Sequence, residues 1–243
     1  RVFPERHLII GHSLGDGYYY YFEGMAEVPE EDVKALEDEM WELSRRALPI
    51  RRMVIAYDEA LVFFREAGLT ATERLLHYRN DEKVPIYQCE DFIDLSYEPL
   101  VPNSSFLFIF ECRSYAPGFL LRFPQAHTPD RISEFHDNPV LFSIFKEYKA
   151  WGKILGVNCT GALNELVENR EIRYFIQVAE ALHEKKISNI ADRIYDRRDD
   201  VGVVLIAGPS SSGKTTFTHR LAIQLRVLGF NPVIIGLDDY FLP

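Results

Sequence analysis

The stretch V-G-V-V-L-I-A-G-P-S-S-S-G-K-T-T, from Val201 to Thr216, constrains this chain more than any other. Gly208, Gly213, Lys214 and Thr215 fill the pattern G-x-x-x-x-G-K-[ST] of a phosphate-binding loop. The spacing has a physical basis. Successive backbone N–H groups must wrap a polyphosphate, so the loop needs residues that let the backbone come close. The helix that follows aims its unpaired N–H groups and partial positive charge at the same anion. The expected ATP-binding residues are therefore Gly208, Pro209, Ser210, Ser211, Ser212, Gly213, Lys214, Thr215 and Thr216. Lys214 would reach the β- and γ-phosphates, and the Thr215 hydroxyl would sit on Mg2+.

The flanks agree with this reading. Val203 to Ala207 is a short apolar run, as a parallel strand buried on both faces should be. Phe217, Leu221, Leu225 and Leu228 fall at helical spacing, and Gly229 supplies a stop. Val233 to Leu237 predicts a second buried strand. In open parallel sheets ligands sit beyond the carboxyl ends of the strands, so Asp238 and Asp239 would emerge beside the phosphates. The alternative is that both cap a turn.

With this L-D-D-Y-F segment the sequence resembles the uridine kinase and phosphoribulokinase group of P-loop kinases. These carry an Asp followed by a short aromatic pair after the second strand. The resemblance implies ATP-dependent phosphoryl transfer to a small hydroxylated acceptor, a nucleoside. It makes Asp238 and Lys214 the catalytic residues, with Asp238 taking the acceptor proton and joining Thr215 near Mg2+. Asp239 would be a neighbouring or turn residue.

Bulk properties set wider bounds. An apolar share of 47 % with 13 % aromatics supports a packed core, and 243 residues leave room for one large or two modest domains. A formal charge of −10 argues against coating nucleic acid, while leaving room for a local basic patch. Cys89, Cys112 and Cys159 are odd in number and contain no C-x-x-C pair, which points to reduced thiols, a cytoplasmic setting and no zinc site. No apolar run approaches the ~18 residues of a membrane span. The chain starts at Arg1 and stops five residues after Asp238. A P-loop kinase needs further strands, a second acidic motif and a lid, so the sequence reads as an internal fragment.

Residues 1–25 predict strand–turn–strand, with His7 to Ile10 apolar, a glycine-containing turn at 11–17, and the aromatic run Tyr18 to Phe22. Four tyrosines in a row could offer base stacking; a strand with alternating rings is the simpler reading. Val33, Leu36, Met40 and Leu43 share a helix face behind Pro29, with Glu30, Glu31 and Asp32 in the first turn. A strand over 50–56, helices from Asp58 and over 70–78, and final strands over 106–110 and 118–123 follow.

The order of these elements, with G-D-G-Y-Y-Y-Y-F early and Y-Q-C-E-D-F-I-D-L-S-Y-E-P-L later, resembles the editing-type domain of threonyl- and alanyl-tRNA synthetases, closest to the threonyl form. In those enzymes the second signature holds a Cys and, four residues on, a His; with an upstream H-x-x-x-H pair they hydrolyse mischarged tRNA. Ser96 and Leu100 occupy the Cys and His positions here, and the H-x-x-x-H pair would fall before Arg1. Leu can neither bind a metal nor move a proton, and Ser is a poor metal ligand. Cys89 lies at the wrong point of the motif to substitute. The resemblance thus implies an editing-like domain with a degenerate site.

Residues 139–198 predict helices, with a break at 156–160 and a long amphipathic stretch from Ile172 to Ile194. His183-Glu184 fails the H-E-x-x-H pattern because residue 187 is Ile. The expected organisation is an α+β editing-like domain over 1–125, a mostly helical connector over 126–200, and the first β-α-β unit of an α/β P-loop kinase over 201–243. That combination resembles a bacterial-type family of nucleoside or uridine kinase-like proteins. Two further readings are a tRNA- or nucleotide-binding module whose P-loop acts as a switch, and a residual aminoacyl-tRNA hydrolase.

Overall fold

The computed structural model describes residues 2–79 and 81–240, the side chains at 238 and 239 excepted. The chain divides into two compact units, Arg1–Asn164 and Glu165–Pro243.

The first unit is mixed α+β and holds two antiparallel sheets. In the larger, β1 (Leu8–Leu14), β2 (Gly17–Phe22), β7 (Gly118–Arg122) and β6 (Glu111–Tyr115) lie in the order β1-β2-β7-β6. The β1–β2 turn is only Gly15-Asp16, with Gly15 at φ +57°, so both strands run further into the glycine-containing segment than the sequence predicts. The aromatic run does alternate, but both of its faces are covered. Tyr19 and Tyr21 pack with Leu14, Leu120 and Phe142 of α4 (Pro139–Ile154). Tyr20 and Phe22 pack with Phe119 and with Val33 and Leu36 of α1 (Glu30–Arg45). Strand period 2 thus feeds two cores.

At Gly17 and Gly118 the neighbouring strand leaves no room for a side chain. A Cβ at Gly17 would stand 2.3 Å from the Leu121 carbonyl oxygen, and one at Gly118 would stand 2.0 Å from that of Tyr20. Beside this seam the buried Arg122 donates from Nη1 to Glu111 at 2.9 Å and from Nη2 to the Ser133 carbonyl.

In the smaller sheet, β3 (Arg51–Ala56), β4 (Lys83–Cys89) and β5 (Phe92–Leu95) lie side by side. Helices α2 (Tyr57–Glu66) and α3 (Thr70–His77) cover it, burying Ala60, Phe64 and Leu76 against Val84 and Ile86. The strand predicted over 106–110 does not form. Asn103 accepts the Ser105 N–H, the 3-10 turn η1 (Ser104–Phe106) follows, and Phe106, Leu107 and Phe108 stay exposed. Local side-chain bonding outcompetes the β-propensity of F-L-F-I-F.

Helix α5 (Thr160–Glu168) spans the boundary between the units. The second unit contains α6 (Ile172–Asp196), α7 (Lys214–Val227) and the short 3-10 turn η2 (Leu237–Tyr240). Ile187 and Ala191 of α6 pack on Leu221 and Leu225 of α7. The β-α-β unit expected here is absent among the described residues. Residues 203–207 and 233–237 form no ladder, and Val203, Leu205, Val233 and Ile235 are 64–90 % exposed. An apolar run is a strand only when a neighbour accepts its hydrogen bonds, and these two runs do not pair. Helix α7 closes its backbone bonds within itself and needs only α6 to cover its apolar face.

Candidate functional site

The loop ahead of α7 has the backbone of an anion cradle. Ser211 (φ +59°) and Gly213 (φ +83°) adopt left-handed conformations, and the Ser212 N–H donates to the Pro209 carbonyl at 3.3 Å. The helix's first internal bond runs from the Phe217 N–H to the Gly213 carbonyl. The N–H groups of Lys214, Thr215 and Thr216 precede it and are the donors that a helix start leaves over. Lys214 Nζ folds back over the loop and donates to the Pro209 carbonyl at 2.7 Å. A Cβ on Gly208 would meet Ser212 Oγ at 2.8 Å, so a larger residue there would turn the Ser212 hydroxyl aside. Gly208, Pro209, Ser210, Ser211, Ser212, Gly213, Thr215 and Thr216 are all exposed. The arrangement fits a phosphate group held by backbone donors and one mobile ammonium. Asp238 and Asp239 belong to η2. Their side chains lie outside the described residues.

In the first unit, Ser96 follows β5, and its hydroxyl donates to the Glu98 carbonyl at 2.9 Å. Four residues on, Leu100 is 49 % exposed, and its N–H donates to the Tyr87 hydroxyl at 3.3 Å. Cys89 sits at the far end of the hairpin. It pairs with Phe92 while Leu95 pairs with Ile86. At about 3.4 Å per residue, roughly 10 Å of strand separates it from the Ser96 end. Cys89 instead lines a groove of about 520 Å3 with Met40, Leu43, Leu48, Phe92 and Leu107.

Sequence reasoning missed a polar cluster beside Ser96. Asp81 accepts from Arg79 Nε at 2.8 Å and from the Tyr97 hydroxyl at 2.9 Å, and the Arg79 guanidinium lies 4.0 Å from the centre of the Tyr97 ring. The hydrogen bonds from Tyr97 and Arg79 hold Asp81 below the usual carboxylate range. Burial, then the bond to Asp81, raises Tyr97. Nothing in the spacing of Arg79, Asp81 and Tyr97 signals that they meet; the hairpin brings them together. In the second unit, Glu184 accepts from Gln224 at 2.7 Å and pairs with Arg220 at 3.0 Å, so it ties α6 to α7. Among the described residues no group of three or more His, Cys, Asp or Glu could hold a metal ion. Nor is any helix among them long and apolar enough to cross a membrane.

No family model matches the chain. It is similar to threonine--tRNA ligases. That of Carboxydothermus hydrogenoformans is 32 % identical over 120 residues, which is 49 % of this chain and 19 % of that protein. That of Rubrobacter xylanophilus is 35 % identical over 118 residues, 49 % of this chain and 18 % of that protein. That of Nitratidesulfovibrio vulgaris is 31 % identical over 119 residues, again 49 % and 18 %. The chain thus spans under a fifth of the length of these relatives. They correct the reading as an ATP-dependent nucleoside kinase, because they are tRNA ligases and not kinases. The nucleoside acceptor goes with it. About half of the chain is similar to threonine--tRNA ligases, and the match supports an editing-like domain of that type.

Proposed function

We propose that the editing-like segment over 1–125 is a tRNA-binding module that holds the 3′ end of tRNA without cleaving an ester bond there. The observation that carries this reading is the match to threonine--tRNA ligases, 31–35 % identical over 118–120 residues. The chemistry at Ser96 argues for binding rather than hydrolysis. Its hydroxyl is committed to the Glu98 carbonyl, and Leu100 stands where a proton-accepting ring would be needed. An alcohol without an adjacent base is a weak nucleophile. The degenerate site therefore keeps a surface and loses the reaction.

The loop at 208–216 is part of the same proposal as a nucleotide phosphate site, with Mg·ATP as the ligand that its backbone suits. When bound, Mg2+ would neutralise phosphate charge, with Thr215 and Asp238 as its protein ligands. Residues 126–200 are then mostly helical, with α4 packed against the larger sheet and α6 ahead of the loop.

The test is to titrate a tRNA transcript into the 243-residue chain and to incubate the chain with seryl-tRNA(Thr). Binding that falls with salt and no accelerated deacylation are expected. Absence of tRNA binding at low salt overturns the proposal, as does deacylation that vanishes in Ser96→Ala.

A further inference from the structure

In a chain with 37 acidic and 27 basic residues, α4 is an exception, carrying Lys146, Lys149 and Lys153 against the single acid Glu147. The three lysines lie at i, i+3 and i+7, and so share one side of the helix. That side is not a simple solvated face. It is the one that carries Phe142 and Phe145 onto the larger sheet. Lys146 Nζ lies 4.8 Å from the centre of the Phe142 ring, and Lys153 Nζ lies 5.6 Å from that of Tyr21 on β2. Between them Lys149 acts electrostatically on His12 of β1, whose ring stacks on Phe145 at 3.9 Å. Rings therefore underlie the Lys146 and Lys153 ammonium groups along the seam between α4 and the first two strands. A lysine stem laid on an aromatic face gives up little further freedom when its head meets an anion.

We propose that this lysine face of α4 is a contact surface for the phosphodiester backbone of RNA, at the single-stranded acceptor end of tRNA. The inference rests on the tRNA reading above and assigns it a surface. The spacing suits the ligand. Seven residues of helix rise about 10 Å, short enough for the three ammonium groups to meet neighbouring phosphates of one strand. With a single-strand slope near 0.7 per phosphate, three contacts add about 2 to the salt slope and ~100-fold to affinity at ~0.1 M salt.

The experiment is fluorescence polarisation of a labelled acceptor-stem minihelix ending in CCA against the full chain across a salt series. It compares wild type, the triple variant Lys146→Gln/Lys149→Gln/Lys153→Gln, and the charge-matched control Lys34→Gln/Lys83→Gln/Lys185→Gln. About 100-fold weaker binding and a slope lower by about 2 are expected in the first variant alone. Unchanged binding there, or equal losses in both variants, overturns the lysine face while leaving the tRNA reading intact. No binding by wild type at ~0.05 M salt overturns both. Acetylation of wild-type lysines with and without minihelix gives a check that needs no variant. Protection of Lys146, Lys149 and Lys153 supports the surface, and equal acetylation overturns it.

Discussion

Replacing Ser104 by Ala tests whether the first unit is held together as described. Ser104 is 6 % exposed, and its hydroxyl makes two bonds to separate segments. It accepts the Leu48 N–H at 2.7 Å and donates to the Leu43 carbonyl at 2.6 Å. Leu43 is in the last turn of α1, where the Arg46 and Ala47 N–H groups serve Glu42 and Ser44. Alanine would strand a buried N–H and a helix-end carbonyl together. An unsatisfied buried group costs about 1–3 kcal/mol. The Leu48 N–H pays in full and the partly buried carbonyl recovers some hydration, so the expected loss is about 2–3 kcal/mol. Ser44→Ala gives the internal comparison. It removes one bond, to the Leu107 carbonyl at 2.7 Å, and should cost about 1 kcal/mol. Both tryptophans, Trp41 and Trp151, lie in the first unit, so urea unfolding followed by their fluorescence reports on that unit alone. Trp41 stacks on Phe110 at 4.3 Å and should respond as α1 detaches. With a slope near 2 kcal/mol per molar urea, Ser104→Ala should lower the midpoint by about 1 M. A change under ~0.5 kcal/mol, or a larger effect from Ser44→Ala, would refute the reasoning.

Two further outcomes follow from other sites. Burial first and the Lys149 ammonium second push His12 below its ordinary value of 6.5. The unfolded chain then binds this proton more readily, so stability should drop as pH falls below about 6.5 and level off beneath the folded value; His12→Gln should flatten that slope in urea midpoints measured from pH 5 to 8. At the loop, Lys214→Ala should weaken Mg·ATP binding at least ~10-fold in calorimetry through loss of the loop's ammonium group, and unchanged affinity would reject the phosphate site.

Much of the first unit was legible because its signals are local. The acidic first turn behind Pro29 marks α1, which runs from Glu30 to Arg45. The Gly-containing turn before four tyrosines marks the first hairpin, and Gly156 at φ +70° ends the helix before it. Where the reading failed, the deciding partner was distant in sequence. The F-L-F-I-F run has strand composition, yet Ser104, bonded to Leu43 and Leu48, turns the chain before a ladder can form. Residues 203–207 and 233–237 have the composition of buried strands, but burial is a property of neighbours and not of the run. At the candidate site, Ser96 and Leu100 could be read from a motif. The Arg79–Asp81–Tyr97 cluster could not, because it exists only once β4 and β5 pair.

The double coverage of β2 bears on how this chain can tolerate changes in length. Tyr19 and Tyr21 face α4 while Tyr20 and Phe22 face α1, so one added residue would exchange the contents of two cores at once. Gly17 and Gly118 raise the penalty, since a shifted register would bring a side chain to a place that has no room for a methyl group. Single-residue insertions between Gly17 and Phe22 should therefore be among the least tolerated in the protein, and paired insertions, which restore the facing, should fare better.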